Sequence, residues 1–159
     1  MSQKSLSKWL KGIVAGMAAC GVIIYLYLIP IWGKDLAEAN PEFSYCYIPW
    51  LVAILISAIP CFCVLYFGWK ISSEIGKDNS FSMKNAAYLK NIAILAALDS
   101  AYFFVVNLVF MILGMNHPGI FLLSLMVVFA GVVVTVAAAA LSHLVQKAAE
   151  IERENELTI

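Results

Sequence analysis

The sequence predicts an all-α membrane protein whose four transmembrane helices form an antiparallel bundle. Three observations carry this prediction: 63% of the 159 residues are hydrophobic, 13% are charged, and the mean hydropathy is +0.89. Soluble domains carry about 25% charged residues, so these few charges cannot cover the surface of a water-soluble protein of this length. Disordered chains combine low hydrophobicity with high net charge, whereas the net charge here is zero. We therefore expect one transmembrane domain covering residues 1–159.

Four apolar stretches are long enough to cross the hydrocarbon core of a bilayer, which needs about 20 helical residues. They are residues 9–30, 48–69, 92–113 and 119–145. The first stretch begins among three lysines, Lys4, Lys8 and Lys11, as the core of a secretory signal does. Its apolar run is longer than the roughly 7–15 residues of such a core, and aromatic residues crowd its far end. We therefore expect it to remain in the protein as a helix.

The distribution of basic residues predicts the orientation of the bundle. Nine of the ten lysines and arginines lie in residues 4–11, in the loop 70–91 or in the tail 146–159. Only Lys34 falls on the other side. Cytoplasmic segments carry an excess of lysine and arginine. Both termini and the loop are therefore predicted to be cytoplasmic.

Helix-ending residues narrow the loop 70–91 to a short turn. Gly76 is a natural stop for a second helix that continues beyond its span. Ser82 is a natural N-cap for a third helix that begins before it enters the membrane. On the opposite side, residues 33–47 are predicted to form a mildly acidic loop with an Asn-Pro turn signal. Residues 114–118 are so few that the third and fourth spans must be antiparallel neighbours.

Small residues at four-residue spacing mark helix faces that permit close approach, because lipid provides no hydrophobic drive for helix association. Such stripes occur on three spans: Gly12, Gly16 and Cys20; Ala53, Ser57 and Cys61; and Gly131, Thr135 and Ala139. They fit packing within the bundle or homo-oligomerisation. Pro60, in the second span, predicts a kink that frees a backbone carbonyl.

Asp99 is the charged residue that lies deepest in a predicted span, nine residues or about 13 Å along a helix beyond Lys90. A lone carboxylate in hydrocarbon is costly, so it must face the bundle interior, pair, or be protonated. Ser100 and Asn107 share a face of the same helix, and Asp99 lies beside that face. These three residues form a candidate intramembrane polar site. Candidate partners on other spans are Ser57, Thr135 and Tyr66.

Two interpretations of Asp99 stay open. It is a proton or cation site in a small transporter or channel subunit, or it is a neutral or hydrogen-bonded group that ties helices together. A water-accessible cavity that reaches Asp99 would favour transport. A dry core with an ordered loop and tail would favour a protein-binding module.

The remaining chemistry-bearing residues form no catalytic or metal-binding pattern. The four cysteines and two histidines lack the spacing of a metal or redox site. The sequence has no phosphate loop, nucleophile elbow or paired carboxylates. We therefore expect no enzymatic activity, metal, cofactor or disulfide. An isoelectric point near 6.7 likewise predicts no direct nucleic-acid binding.

The predicted cytoplasmic segments are better candidates for function than the spans. Four glutamates crowd residues 150–156, and an anionic membrane surface would repel them within about 8 Å. Apolar residues follow them at the end of the tail. We therefore expect the tail to dock on the basic loop and the two together to bind a partner. The predicted partner surface comprises Phe81, Met83, Lys84, Lys90, Glu154, Glu156, Leu157 and Ile159.

Three segments carry a resemblance to a known family: Gly76-Lys77-Asp78-Asn79-Ser80-Phe81-Ser82, then Asn85 with Leu89-Lys90-Asn91-Ile92, and the closing Glu154-Asn155-Glu156-Leu157-Thr158-Ile159. The chain resembles small four-span bacterial membrane proteins catalogued as a domain of unknown function, number 2975. The resemblance implies a multi-pass protein of the bacterial cytoplasmic membrane, embedded in the lipid bilayer, with no catalytic residues to carry over. It also implies a candidate partner, because such proteins are often encoded beside a helix-turn-helix regulator. We therefore expect a non-enzymatic membrane protein that binds another protein.

Overall fold

The computed structural model describes residues 2–157, and their side chains as far as residue 155. The regular structure in this range is helical. The α-helices are α1 (Gln3–Ile23), α2 (Ile29–Ala39), α3 (Tyr47–Ile75), α4 (Met83–Ile112) and α5 (Pro118–Leu157). A π-helical segment, Ile24–Leu28, joins α1 to α2, and a 3₁₀ segment, Pro41–Cys46, joins α2 to α3.

Four helical stretches of the described residues are long and apolar enough to cross a membrane: Gln3–Ala39, Pro41–Ile75, Met83–Ile112 and Pro118–Asn155. They contain the four predicted spans, so the prediction of an all-α fold with four transmembrane helices is confirmed. The orientation stays a prediction. The two ends of the bundle need separate names. The loop end holds the loop 70–91, including the turn between α3 and α4. The turn end is the opposite end, and it holds the 3₁₀ segment and the short connection between α4 and α5.

The helices pack in chain order. α1 packs on α3, α3 packs on α4, and α4 packs on α5, with the longest contact between the last two. In residues 2–157, no Cα atom of α1 or α2 lies within 8 Å of one in α5. The bundle is therefore open along the seam between its first and last helices.

α4 and α5 pack through small side chains. Ser142 Oγ donates a hydrogen bond to the carbonyl oxygen of Ala86 at 2.7 Å, and a Cβ atom added to Gly131 would overlap the Ser100 hydroxyl. The packed positions on α5 alternate at spacings of three and four residues: Gly131, Thr135, Ala138, Ser142, Val145 and Ala149. The predicted stripe leaves this seam at its third member, Ala139, which is exposed. A packed helix pair follows a repeat of about 3.5 residues, which a strict spacing of four cannot track.

The other two small-residue stripes differ from each other. Ala53 and Ser57 are buried in α3, as packing within the bundle requires. On α1, a Cβ atom added to Gly12 or Gly16 would meet nothing within 4 Å, and Cys20 is exposed. The α1 stripe therefore faces away from the bundle.

The turn between α3 and α4 lies where the sequence predicts it, because α3 ends at Ile75 with Gly76 as its C-cap and α4 begins after Ser82. Ser82 Oγ accepts a hydrogen bond from the backbone N–H of Asn85 at 3.3 Å, so it caps α4. Gly76 has a φ of −67°, and the left-handed residue of the turn is Asp78, with a φ of 62°. Gly76 instead permits a close approach of α1, because an added Cβ atom would lie 2.6 Å from Ser7 Oγ.

Residues 33–47 are helical where a loop is predicted. α2 runs to Ala39, and Asn40 Nδ2 donates to the carbonyl oxygen of Leu36 at 3.0 Å. The 3₁₀ segment then begins at Pro41. Proline is favoured at the first position of a helix, so the Asn-Pro pair separates two helical segments instead of opening a loop.

Candidate functional site

Asp99 lies at the interface between α3 and α4. Its Oδ1 atom accepts a hydrogen bond from Ser57 Oγ at 2.8 Å, and its Oδ2 atom accepts one from Cys61 Sγ at 3.8 Å. Ser57 is one of the three partners that the sequence suggests. Each carboxyl oxygen therefore has a donor on the neighbouring helix, which is how a carboxyl group is tolerated inside a bilayer.

The hydrogen-bond network continues to the first membrane-spanning stretch, Gln3–Ala39, which we call the first helix. The Tyr25 hydroxyl donates to Cys61 Sγ over 3.6 Å. Tyr25 belongs to the π-helical segment, and Cys61 follows Pro60 inside α3. We call Tyr25, Ser57, Cys61 and Asp99 the polar cluster. π-Helical segments and prolines interrupt regular helical hydrogen bonding, and π-bulges occur often at functional sites.

Ser100 and Asn107 lie at a different interface from Asp99. They are 8% and 0% exposed, respectively, and belong to the side of α4 that meets α5 and its preceding connection. Ser100 Oγ donates to the carbonyl oxygen of Ala96, and Asn107 Nδ2 donates to that of Phe103. The structure thus divides the predicted polar site. Asp99 faces α3, whereas Ser100 and Asn107 serve the packing of α4 against the opposite neighbour.

The structure has a cavity at the turn end, and the polar cluster does not line it. On α4 it is lined by Phe103 and Asn107, and Asp99 is not part of its lining. Phe103 lies one helical turn from Asp99. Both interpretations of Asp99 therefore stay predictions.

Histidine, cysteine and acidic side chains are dispersed among the described residues. No three of them in residues 2–155 lie close enough to hold a metal ion. Cys20, Cys46, Cys61 and Cys63 are free thiols. The chemistry open to the polar cluster is therefore hydrogen bonding and proton exchange.

The turn at the loop end is held in place from both helices. Asn85 of α4, which is 1% exposed, donates through Nδ2 to the carbonyl oxygens of Asn79 and Ser80 at 3.2 and 2.9 Å. Glu74, beyond the apolar part of α3, accepts hydrogen bonds at 2.8 Å from Lys77 Nζ and Asn79 Nδ2. These two bonds lower the pKa of the Glu74 carboxyl, and the carboxylate in return raises the pKa of Lys77. The turn is a fixed structure.

Glu74 and Asn85 hold this turn by hydrogen bonds, yet neither is among the residues that the sequence predicts for the partner surface. The sequence does contain a signal for this role, because both residues lie close to the Asp-Asn-Ser run. Polar side chains beside such a run commonly form hydrogen bonds with the turn backbone. The predicted partner-surface residues of the loop 70–91 are exposed on the turn and on the start of α4. Phe81 and Met83 are 60% and 52% exposed, and Lys84 and Lys90 are exposed as well.

The tail continues α5 as a helix that is buried at Ala149 and exposed beyond it. Residues 146–157 add about 18 Å of helix beyond the apolar span, and Glu150 to Asn155 are exposed. The predicted tail residues Glu156 and Leu157 lie beyond the described side chains, and Ile159 lies outside the described residues. Docking of the tail on Phe81 therefore stays a prediction.

The comparison with known families decides the identity. The family model described as "Protein of unknown function (DUF2975)" matches residues 31–159. The chain belongs to this family. It is also 32% identical over 136 residues to the uncharacterized membrane protein YoaS of Bacillus subtilis (strain 168), and the match covers 84% of this chain and 85% of that protein. No solved structure matches the chain.

The family match bears on both candidate sites. Its range holds the whole turn between α3 and α4, together with Ser57, Cys61 and Asp99. Tyr25 and the π-helical segment precede it. The predicted family is therefore confirmed, and the protein is a multi-pass membrane protein.

Proposed function

We propose that this member of the family is a non-enzymatic membrane protein that binds a cytoplasmic protein through the turn at its loop end. The observation that supports this is a turn held by hydrogen bonds from both flanking helices, with Phe81 and Met83 60% and 52% exposed on its surface. A rigid surface loses little conformational freedom on binding, so more of its contact energy becomes affinity. Exposed apolar side chains beside Lys84 suit a partner with an apolar patch and acidic neighbours.

The tail distinguishes a protein partner from the membrane surface. Its exposed glutamates, at residues 150–154, would be repelled by anionic lipid headgroups. Lys77 is already paired with Glu74, which reduces the basic charge that the turn offers to lipid. A helix-turn-helix regulator, the partner that the family resemblance suggests, is the first candidate to test.

Site-specific photo-crosslinking in native membranes tests this proposal. A photoreactive phenylalanine analogue at position 81 should crosslink to a cytoplasmic protein. The same analogue at Phe129 is the matched control, because Phe129 is 69% exposed within the apolar part of α5. It should label lipid alone. Lipid adducts alone at both positions would show that Phe81 anchors the turn in the membrane, and the proposal would be wrong.

Truncation tests the part of the tail in this proposal. Deleting residues 154–159 touches no apolar span, so insertion should be unchanged while partner capture is lost. Full capture by the truncated protein would remove the tail from the binding surface. Labelling of single cysteines from outside the cell completes the test of orientation, because positions 38 and 116 should react whereas position 79 should not.

A small transporter or channel subunit is the second candidate function. The polar cluster supports it, because it joins three helices at a level where the first is π-helical and α3 contains Pro60. Proton flux into proteoliposomes that falls in Asp99→Asn, with unchanged folding, would favour this candidate. Equal flux in wild-type, Asp99→Asn and protein-free vesicles would leave only the binding module.

A further inference from the structure

A cavity of about 630 Å³ lies at the turn end between α2 and α5, with α3 and α4 behind it. Ligand pockets typically have volumes of about 300–1,000 Å³. The cavity lies where the bundle is open, since no described Cα atom of α2 comes within 8 Å of α5. Its unwalled side therefore lies between α2 and α5.

Hydrogen bonds tie the walls of the cavity to α3. The Tyr47 hydroxyl donates to the carbonyl oxygen of Pro30 at 3.3 Å, which fixes the first helix to the start of α3. Trp50 Nε1 donates to the carbonyl oxygen of Met115 at 2.9 Å, which fixes α3 to the connection before α5. The cavity is thus preformed, and a ligand can enter it without ordering its walls.

The lining of the cavity changes from polar to apolar with depth. Near the turn end the lining includes the polar side chains of Asn40, Asn116 and His117. Toward the middle of the bundle it is apolar, from Ile54, Phe103 and Val127. None of the described lining residues is Asp, Glu, Lys or Arg. This gradient fits an amphiphile with an uncharged head, because a phosphate head would have no lysine or arginine partner in the lining.

Asn116 favours a head that donates hydrogen bonds. Asn107 Nδ2 donates to the carbonyl oxygen of Phe103, so its Oδ1 atom is the acceptor presented to Asn116 Nδ2 at 3.2 Å. That contact fixes which way the Asn116 amide points. Asn116 Oδ1 is left as a buried acceptor with no donor among the described residues. A hydroxyl group at this end of the cavity would bring a donor to Asn116.

We propose that this cavity binds a neutral bilayer lipid with one hydrocarbon chain and a hydroxyl head, of the monoacylglycerol class. The chain enters between α2 and α5 and lies along Ile54 and Val127. The head lies beside Asn116. The site is separate from the turn at the loop end and does not depend on a protein partner there.

Photolabelling of the full-length protein in lipid nanodiscs tests the site. The probe is a monoacylglycerol that carries a diazirine in its chain, and labelled peptides are identified by mass spectrometry. Label should concentrate on α2 and α5. Ala37→Trp places bulk in the cavity from α2 and should reduce this labelling about tenfold, because it removes the space that the chain occupies. Ala39→Trp is the matched control, because Ala39 is exposed on the same helix and does not line the cavity.

Competition with unlabelled lipids tests the chemistry of the head. Monooleoylglycerol should displace the probe at about one-tenth of the concentration needed with methyl oleate, which lacks hydroxyl donors, or with the charged lysophosphatidylglycerol. Val127→Trp fills the cavity from the opposite wall and replaces Ala37→Trp if that variant does not fold. Equal labelling of wild-type and filled variants, or label spread evenly over all lipid-facing helices, would indicate ordinary surrounding lipid and overturn the proposal. Equal competition by lysophosphatidylglycerol would overturn the neutral head.

Discussion

The two sides of the bundle are held together in different ways. α4 and α5 meet along a continuous seam of small side chains, in which Gly131 lies directly against Ser100. On the first helix Gly12 and Gly16 face away from the bundle, and Gly21 lies against the ring of Phe62 instead of a small residue. Small residues bring two helices together only where they face the partner. On the side of the first helix, separate hydrogen bonds must do part of this work.

Three side-chain bonds hold the first helix to α3 and are spread along its length. They pair Ser7 with Ser72 at 2.6 Å, Tyr25 with Cys61 at 3.6 Å, and Tyr47 with Pro30 at 3.3 Å. Regions with few buried contacts open at lower free energy than packed cores. The side with the first helix also borders the cavity. We therefore expect movement and ligand entry on this side and rigidity on the other.

Breaking the small-residue seam should have the largest effect. Gly131→Val forces side-chain atoms into the Ser100 hydroxyl and should lower the free energy of unfolding by about 3 kcal/mol. Gly12→Val is the matched control, because open space surrounds Gly12, and it should change stability by less than about 0.5 kcal/mol. Reversible unfolding in detergent micelles measures both. Equal losses in the two variants would contradict the difference between the two sides.

Asp99 lies between the two sides, and its replacement should have the next largest effect. Asp99→Leu leaves the Ser57 hydroxyl without its acceptor and should lower the free energy of unfolding by about 2 kcal/mol. Asp99→Asn keeps an oxygen that accepts from Ser57, so it should cost less than about 1 kcal/mol. Thermal unfolding of the two variants gives the comparison. Equal losses in Asp99→Asn and Asp99→Leu would show that an oxygen that accepts from Ser57 does not hold the cluster.

The close contact of α1 at the loop end gives a smaller expected effect. Gly76→Ala should displace the Ser7 hydroxyl, weaken its bond to Ser72 and cost about 1 kcal/mol. The same substitution at Gly16 meets no neighbour and serves as the control. In a Ser7→Ala background, the cost of Gly76→Ala should fall, since the displaced hydroxyl is gone. An unchanged cost there would show that backbone geometry, not contact with α1, requires Gly76.

Local signals in the sequence predicted the parts of the structure that depend on few residues. The cap at Ser82, the extension of α3 to Ile75, and the partnership of Asp99 with Ser57 all follow from short-range chemistry or from a single polar group in a span. The seam between α4 and α5 was predicted only to Thr135. Its remainder depends on a helix repeat that a single chain's small residues do not fix.

Two features of the candidate sites left no such signal. Tyr25 meets Cys61 because the first helix is π-helical there, and no residue type in Ile24–Leu28 marks that change of register. The cavity depends on the hydrogen bonds by which Tyr47 and Trp50 of α3 hold α2 and the connection before α5. In the sequence, these aromatic residues at the end of a span are equally well explained as anchors at the membrane interface, so they do not indicate a cavity. Both features arise from the arrangement of helices in space.

Removing the Tyr25 hydroxyl should have the smallest effect. A sulfur atom is a weak acceptor, and hydrogen bonds between membrane helices average about 0.6 kcal/mol, so Tyr25→Phe should cost no more than that. Ser7 lies about 27 Å away along the helix, a distance at which independent sites are additive. The cost of Tyr25→Phe with Ser7→Ala should then equal the sum of the single costs in the same unfolding assay. A smaller combined cost would show that losing either contact releases the first helix as one unit. In that case its hold on α3 is cooperative, like that of the opposite side, and the contrast between the two sides disappears.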